Sequence, residues 1–228
     1  MNRFFLFLLI LLCLCSAEFN LKSVTSEERY AKELKAFSQA DSQSPIKPDS
    51  VLFLGSSSIR LWPTIATDFP DIATLNRGFG GSTIADSIAL IDRLVFPYRP
   101  RQIVFYAGDN DIAQGKTAAQ VANDFIQFQQ AVHKKLPQTS LVFISIKPSP
   151  SRWKYETLVR DANQLIQKHC QSVPNLRYLD VFNPMLGKDG LPKADLFVAD
   201  QLHLNASGYR IWVNALKASK FLLPNPSK

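Results

Sequence analysis

Val51-Leu52-Phe53-Leu54-Gly55-Ser56-Ser57-Ser58 sets four consecutive apolar side chains before a glycine and three serines. A strand with one wet face alternates apolar and polar residues. An unbroken apolar run predicts a strand covered on both faces. The pattern returns in Ile103-Val104-Phe105-Tyr106 and Leu141 to Ile146, and Ala73-Thr74-Leu75-Asn76 and Leu176 to Val181 are further candidate strands. Between these runs, residues 84–95, 117–135 and 153–171 carry helical periodicity, and Asn205 to about Leu222 reads as a last helix. Doubly covered strands separated by helices predict an α/β fold, a three-layer α/β/α sandwich on a five-stranded parallel sheet.

Ahead of the first strand, Thr25 and Glu28 stand at capping-box spacing and predict a helix running to about Gln39. Ser42 to Ser50, with Pro45 and Pro48, reads as a linker. The first 17 residues have Arg3, an apolar run from Phe4 to Cys15, and Ala17. That is the pattern of a signal peptide, and the run is shorter than the ~20 residues of a spanning helix. An uncleaved anchor and a lipoprotein acylated on Cys15 are the rival readings; Leu14 suits lipoprotein processing poorly. The expected division is a signal peptide at 1–17, an N-terminal helix and linker at 18–50, and one main domain at 51–223. A secreted or periplasmic location follows, with no stable membrane span after processing.

Of 228 residues, 46% are hydrophobic and 20% charged, which suits a globular domain with a real core. The net charge of +7 falls by one if Arg3 is removed with the leader. The basic residues are scattered rather than clustered with aromatics, so a solvated surface is favoured over nucleic-acid binding. Cys170 is the one cysteine beyond the leader, which excludes an internal disulfide in the mature chain.

In parallel sheets, ligands gather beyond the carboxyl ends of the strands. Four polar stretches fall on that side or near the C-terminus: Gly55-Ser56-Ser57-Ser58, Gly78-Phe79-Gly80-Gly81, Gly108-Asp109-Asn110-Asp111 and Asp200-Gln201-Leu202-His203. In this order, over roughly residues 50–215, they resemble the sequence blocks of the SGNH (GDSL-type) hydrolase family. The resemblance implies a flavodoxin-like fold and a serine esterase. It places the nucleophile on Ser57, its base on His203 and the orienting carboxylate on Asp200. It also implies an oxyanion hole formed by the N–H groups of Ser57 and Gly81 and the side chain of Asn110. Ser56 stands where the family has aspartate, so the bracing of that loop must differ. Asp109 adds a carboxylate beside Asn110, and if it faces the pocket it would disfavour anionic acyl groups.

The chemistry suits these residue types. A serine hydroxyl needs a base within hydrogen-bond reach, and imidazole can serve near neutral pH. A carboxylate three residues earlier can hold Nδ1–H and turn Nε2 to the serine. Taken alone, Asp200 could equally cap the final helix. His133 and His169 sit beside lysines on helical segments and read as surface residues. No metal or organic cofactor is required, and three dispersed histidines do not make a ligand set.

Lys147, Arg152 and Trp153 follow the fourth strand and are expected to rim the site, where they could hold a sugar, a lipid headgroup or a glycan acid. A stiff surface loop is the competing reading. Met185, Leu186, Leu191, Leu196 and Phe197 could wall an acyl chain, although core packing is commoner for such residues. The expected partner is a small ester, an acylated carbohydrate or a lipid. Hydrolysis of short-chain or O-acetyl esters, lysophospholipase or lipase-like activity, and a silent binding protein on the same fold are the competing functions.

Overall fold

The computed structural model describes residues 24–223, apart from 45 and 48. The expected signal peptide at 1–17 and the two linker prolines lie outside the described residues. Five parallel strands, β1 (Val51–Gly55), β2 (Thr74–Gly78), β3 (Gln102–Tyr106), β4 (Ser140–Ile144) and β5 (Leu176–Leu179), form one sheet in the order β2-β1-β3-β4-β5. Chain direction across the sheet reverses between β1 and β3. In open parallel sheets, ligands gather where the loops leaving two such strands diverge.

The runs that are apolar on both faces divide between two cores. Leu52, Leu54, Ile103, Phe105, Leu141 and Phe143 point one way. Val51, Phe53, Val104, Tyr106, Val142 and Ile144 point the other. Successive strand side chains must face opposite ways, so each strand feeds both layers.

The first core is covered by α1 (Ser26–Arg29), α2 (Ala31–Gln43), α5 (Ile84–Ala89), α6 (Ile91–Leu94), α8 (Ala118–Lys135) and α9 (Glu156–Ser172). The second is covered by α3 (Ser57–Arg60), α4 (Ile65–Asp68) and α10 (Ala206–Ser219), where Trp62 and Trp212 meet edge to face at 5.7 Å. The remaining helix, α7 (Asp109–Ala113), follows β3 directly. Among the described residues no helix is long and apolar enough to cross a membrane.

Several expected bounds shift. The N-terminal helix is capped by Thr25 and Glu28 but breaks at Tyr30, then runs through Gln43 into the expected linker. Tyr30 leaves helical geometry where its ring packs on Phe79 and its hydroxyl donates to Asp86. The expected helix at 84–95 is two short helices broken at Leu90. Ahead of α9, residues Pro150–Tyr155 wind as a 3₁₀ helix.

The N-terminal helices belong to the same core as the sheet. Tyr30 and Leu34 are buried in it. Asp41 pairs with the buried Arg77 at the end of β2 and accepts from Tyr98 Oη at 2.8 Å. Arg77 also donates to Tyr98 Oη and to the Asn76 carbonyl. Asp41→Ala would leave this guanidinium without its counter-charge. Its expected cost is about 3 kcal/mol of unfolding free energy, at the low end for a broken buried pair because Asp41 retains some water contact. Urea unfolding of the variant against wild type measures it.

Candidate active site

β1 ends at Gly55, whose φ of +137° and approach to β3 admit no side chain: a Cβ there would stand 1.9 Å from the Tyr106 carbonyl oxygen. The chain turns at Ser56 and starts α3 at Ser57, so the Ser57 N–H has no acceptor within the helix. Ser56 is buried, and its Oγ has no hydrogen-bond partner among the described residues. Bracing comes from the backbone instead. Ser56 N–H donates to the Tyr106 carbonyl at 2.9 Å, and the Ser56 carbonyl accepts from Ile59 and Arg60. Asn76 Nδ2 and Tyr209 Oη pin α3 from either side through the carbonyls of Ile59 and Ser58.

His203 arrives from the other end of the sequence, in the turn before α10. Its Nε2 lies 2.9 Å from Ser57 Oγ, and its Nδ1 lies 2.6 Å from Asp200 Oδ2. A carboxylate only accepts, so Nδ1 carries the proton and Nε2 is free to accept from the serine hydroxyl. Asp200 Oδ1 also accepts from the backbone N–H groups of Leu202 and His203. Donation from the His203 backbone, then from its ring, holds the Asp200 carboxyl down at about 2. Asp200 does not cap the final helix. Asn205 does, accepting from Ser207 and Gly208.

The loop after β2 carries Gly81 at φ +74°, with open space where a side chain would stand. Its neighbours are fixed: Ser82 Oγ donates to the Phe79 carbonyl, and Thr83 forms a capping box with Asp86 at the start of α5. Asn110, in α7, donates from Nδ2 to the Ser82 carbonyl at 3.0 Å. The amide keeps a second N–H. The structure thus joins Ser57, His203 and Asp200 by hydrogen bonds, and ties Asn110 to the residue next to Gly81.

The three rim candidates are placed differently from expectation. Lys147 is buried, with 1% of its side chain exposed, and its Nζ lies 3.0 Å from Asp109 Oδ2 and 3.2 Å from Tyr106 Oη. Its charge is turned inward rather than to a ligand. Arg152 Nη1 is 3.4 Å from the same carboxylate oxygen. Trp153 stacks on Phe182 and, with Asp109, Lys147 and Arg152, lines a small cleft that Ser57 and His203 do not line.

Asp109 therefore pairs with two cations at the wall of that cleft. Burial alone would raise its carboxyl, but Lys147 and then Arg152 hold it below the ordinary value. Sequence reasoning missed this cluster. The apolar candidates Met185, Leu196 and Phe197 are buried beneath α10, while Leu191 is exposed. His169, expected at the surface, is half-buried, 3.2 Å from Gln129 Oε1, and desolvation lowers its pKa. Among the described residues no group of three or more His, Cys, Asp or Glu side chains could hold a metal ion.

Residues 50–211 match the GDSL-like Lipase/Acylhydrolase family. The chain belongs to this family. GDSL-like lipases and acylhydrolases act on ester bonds, and ester hydrolysis is the function this membership supports. No curated protein matches the sequence.

Solved structures share the fold at low identity. A Streptococcus pneumonia protein whose name refers to platelet activating factor is 22% identical, covers 83% of this chain and 91% of its own, and has a TM-score of 0.72. A GDSL-like lipase from Bacteroides thetaiotaomicron is 16% identical, with coverages of 82% and 96% and a TM-score of 0.68. An acetyl-xylooligosaccharide esterase from Geobacillus is 11% identical, with coverages of 79% and 97% and a TM-score of 0.62.

The buried cluster yields a stability prediction. Lys147→Met would strand the Asp109 carboxylate beside Arg152 alone and should lower unfolding free energy by about 3–5 kcal/mol. In wild type the folded Asp109 pKa lies below its ordinary value of 3.8. Its contribution is therefore complete above that value and lost as pH falls through the folded pKa. Urea midpoints at pH 7 and pH 3 for both proteins measure this: the gap between them should narrow at the lower pH.

Proposed function

We propose that this protein is a serine esterase that hydrolyses short-chain or O-acetyl esters through an acyl-enzyme. The observation that carries the reading is the unbroken relay from Asp200 through His203 to Ser57, at 2.6 and 2.9 Å. In the proposed reaction, His203 Nε2 takes the Ser57 proton as Oγ attacks the ester carbonyl. The proton then passes to the departing alkoxide, leaving an acyl group on Oγ. Water, deprotonated by the same Nε2, attacks that acyl carbon and restores the serine. Asp200 stays ionised throughout and fixes the imidazole tautomer.

Negative charge develops on the carbonyl oxygen in both steps. The proposed donors to it are the N–H groups of Ser57 and Gly81 and the second amide N–H of Asn110. A fixed donor set aimed at developing charge is a large part of such catalysis. The preference for a short acyl group rests on two observations. Three of the apolar residues that could have walled a long chain, Met185, Leu196 and Phe197, are packed in the core. One relative by fold is an acetyl-xylooligosaccharide esterase. The charged start and short apolar run at 1–17 support export across a membrane before folding.

p-Nitrophenyl esters of graded chain length and acetylated sugars, offered to wild type and Ser57→Ala, test the reading. Wild type should favour acetyl and propionyl esters, and Ser57→Ala should lose nearly all turnover. Equal rates for the two proteins would remove Ser57 as the nucleophile, and a preference for long chains would remove the short-acyl reading. Asn110→Ala should lower kcat by about 10²–10³-fold, the usual effect of losing one oxyanion donor.

A further inference from the structure

We infer that Arg152 is a positioning residue that orients and polarises the Asn110 amide. The inference rests on the proposed roles of Ser57 and Asn110. A side-chain amide is nearly symmetric in shape and opposite in function at its two ends. Flipped, Asn110 would present Oδ1 to the developing oxyanion and repel it. What prevents the flip is the pair of partners on either end. Arg152 Nη2 stands 2.9 Å from Oδ1, and a guanidinium can only donate. The Ser82 carbonyl stands 3.0 Å from Nδ2 and can only accept. Each contact alone favours one orientation, and together they fix it.

The cation does more than select an orientation. A charge-assisted hydrogen bond to Oδ1 draws electron density out of the amide, and the Nδ2 protons become stronger donors. Arg152 is itself anchored for this. Its Nη1 faces Asp109, whose carboxylate is shared with Lys147. Two cations against one carboxylate leave a net positive charge beside Asn110, with Lys147 and Asp109 buried. The same segment reaches the base: Ser151 N–H donates to the carbonyl of Gln201, between Asp200 and His203. Arg152 thus acts through Asn110, with Nη2 on the amide and Nη1 facing Asp109.

A double-mutant cycle on p-nitrophenyl acetate tests this. Arg152→Met should lower kcat about 10–100-fold, with KM changed by no more than about twofold. In the Asn110→Ala background the same substitution should cost less than about twofold, because the residue it acts through is gone. Arg152→Lys keeps the partner of Asp109 but not the fork that spans Asp109 and Asn110. It should hold Tm near wild type and still lose kcat, which keeps the test open if Arg152→Met folds poorly. Full additivity with Asn110→Ala, or a raised KM at unchanged kcat, would overturn the inference. Ser57→Ala runs alongside: its inactivity with additive effects removes this inference alone, and its retained activity removes the nucleophile assignment and the inference together.

Discussion

His203 Nε2 and Ser57 Oγ meet at 2.9 Å across 146 residues of chain. A hydrogen bond between two partly exposed side chains contributes about 1 kcal/mol and cannot hold such distant segments together by itself. The fold must supply the geometry, and both layers of the sandwich contribute. β1 delivers Ser57 at the reversal of the sheet, beside β3, which delivers Asn110 through α7. The second core locks α10 onto α3 through Trp62, Tyr209 and Trp212, so that the turn preceding α10 arrives over the serine.

Polar groups around this meeting point are held by partners of fixed sign. Asp200 accepts from two backbone N–H groups and one imidazole. Asn110 lies between a pure donor and a pure acceptor. Asp109, which would be costly if left alone in its buried position, is matched by Lys147 and Arg152. In the proposed mechanism these groups are set before any substrate arrives, so little reorganisation would be required when charge develops. The exposed Asp200 is the exception to burial. It keeps its charge through short hydrogen bonds instead of through a counter-ion.

The layers and the central strands were legible because strands covered on both faces leave an apolar run, as in β1, β3 and β4. The capping box at Thr25 marked one helix start; a second, Thr117 with Gln120, begins α8. A third, Thr83 with Asp86, was present in the sequence and would have located α5. The break at Tyr30 and that at Leu90 were not legible, since tertiary packing, not local propensity, ends those helices. Ser57, Asp200, His203, Gly81 and Asn110 could be singled out because each sits in a short block next to a strand end or turn. The pairings of Lys147 with Asp109 and of Arg152 with Asn110 could not, because they join residues 38 and 42 positions apart with no local signature. A lysine and an arginine in a proline-rich loop look like surface cations until the carboxylate beneath them is seen.

An activated serine has one direct chemical signature, covalent capture by a fluorophosphonate, read by mass spectrometry of the digested protein. The account predicts a single adduct on the peptide bearing Ser57 in wild type, and its loss in His203→Ala although the serine remains. An adduct on another residue, or labelling of Ser57 undiminished in His203→Ala, would contradict it.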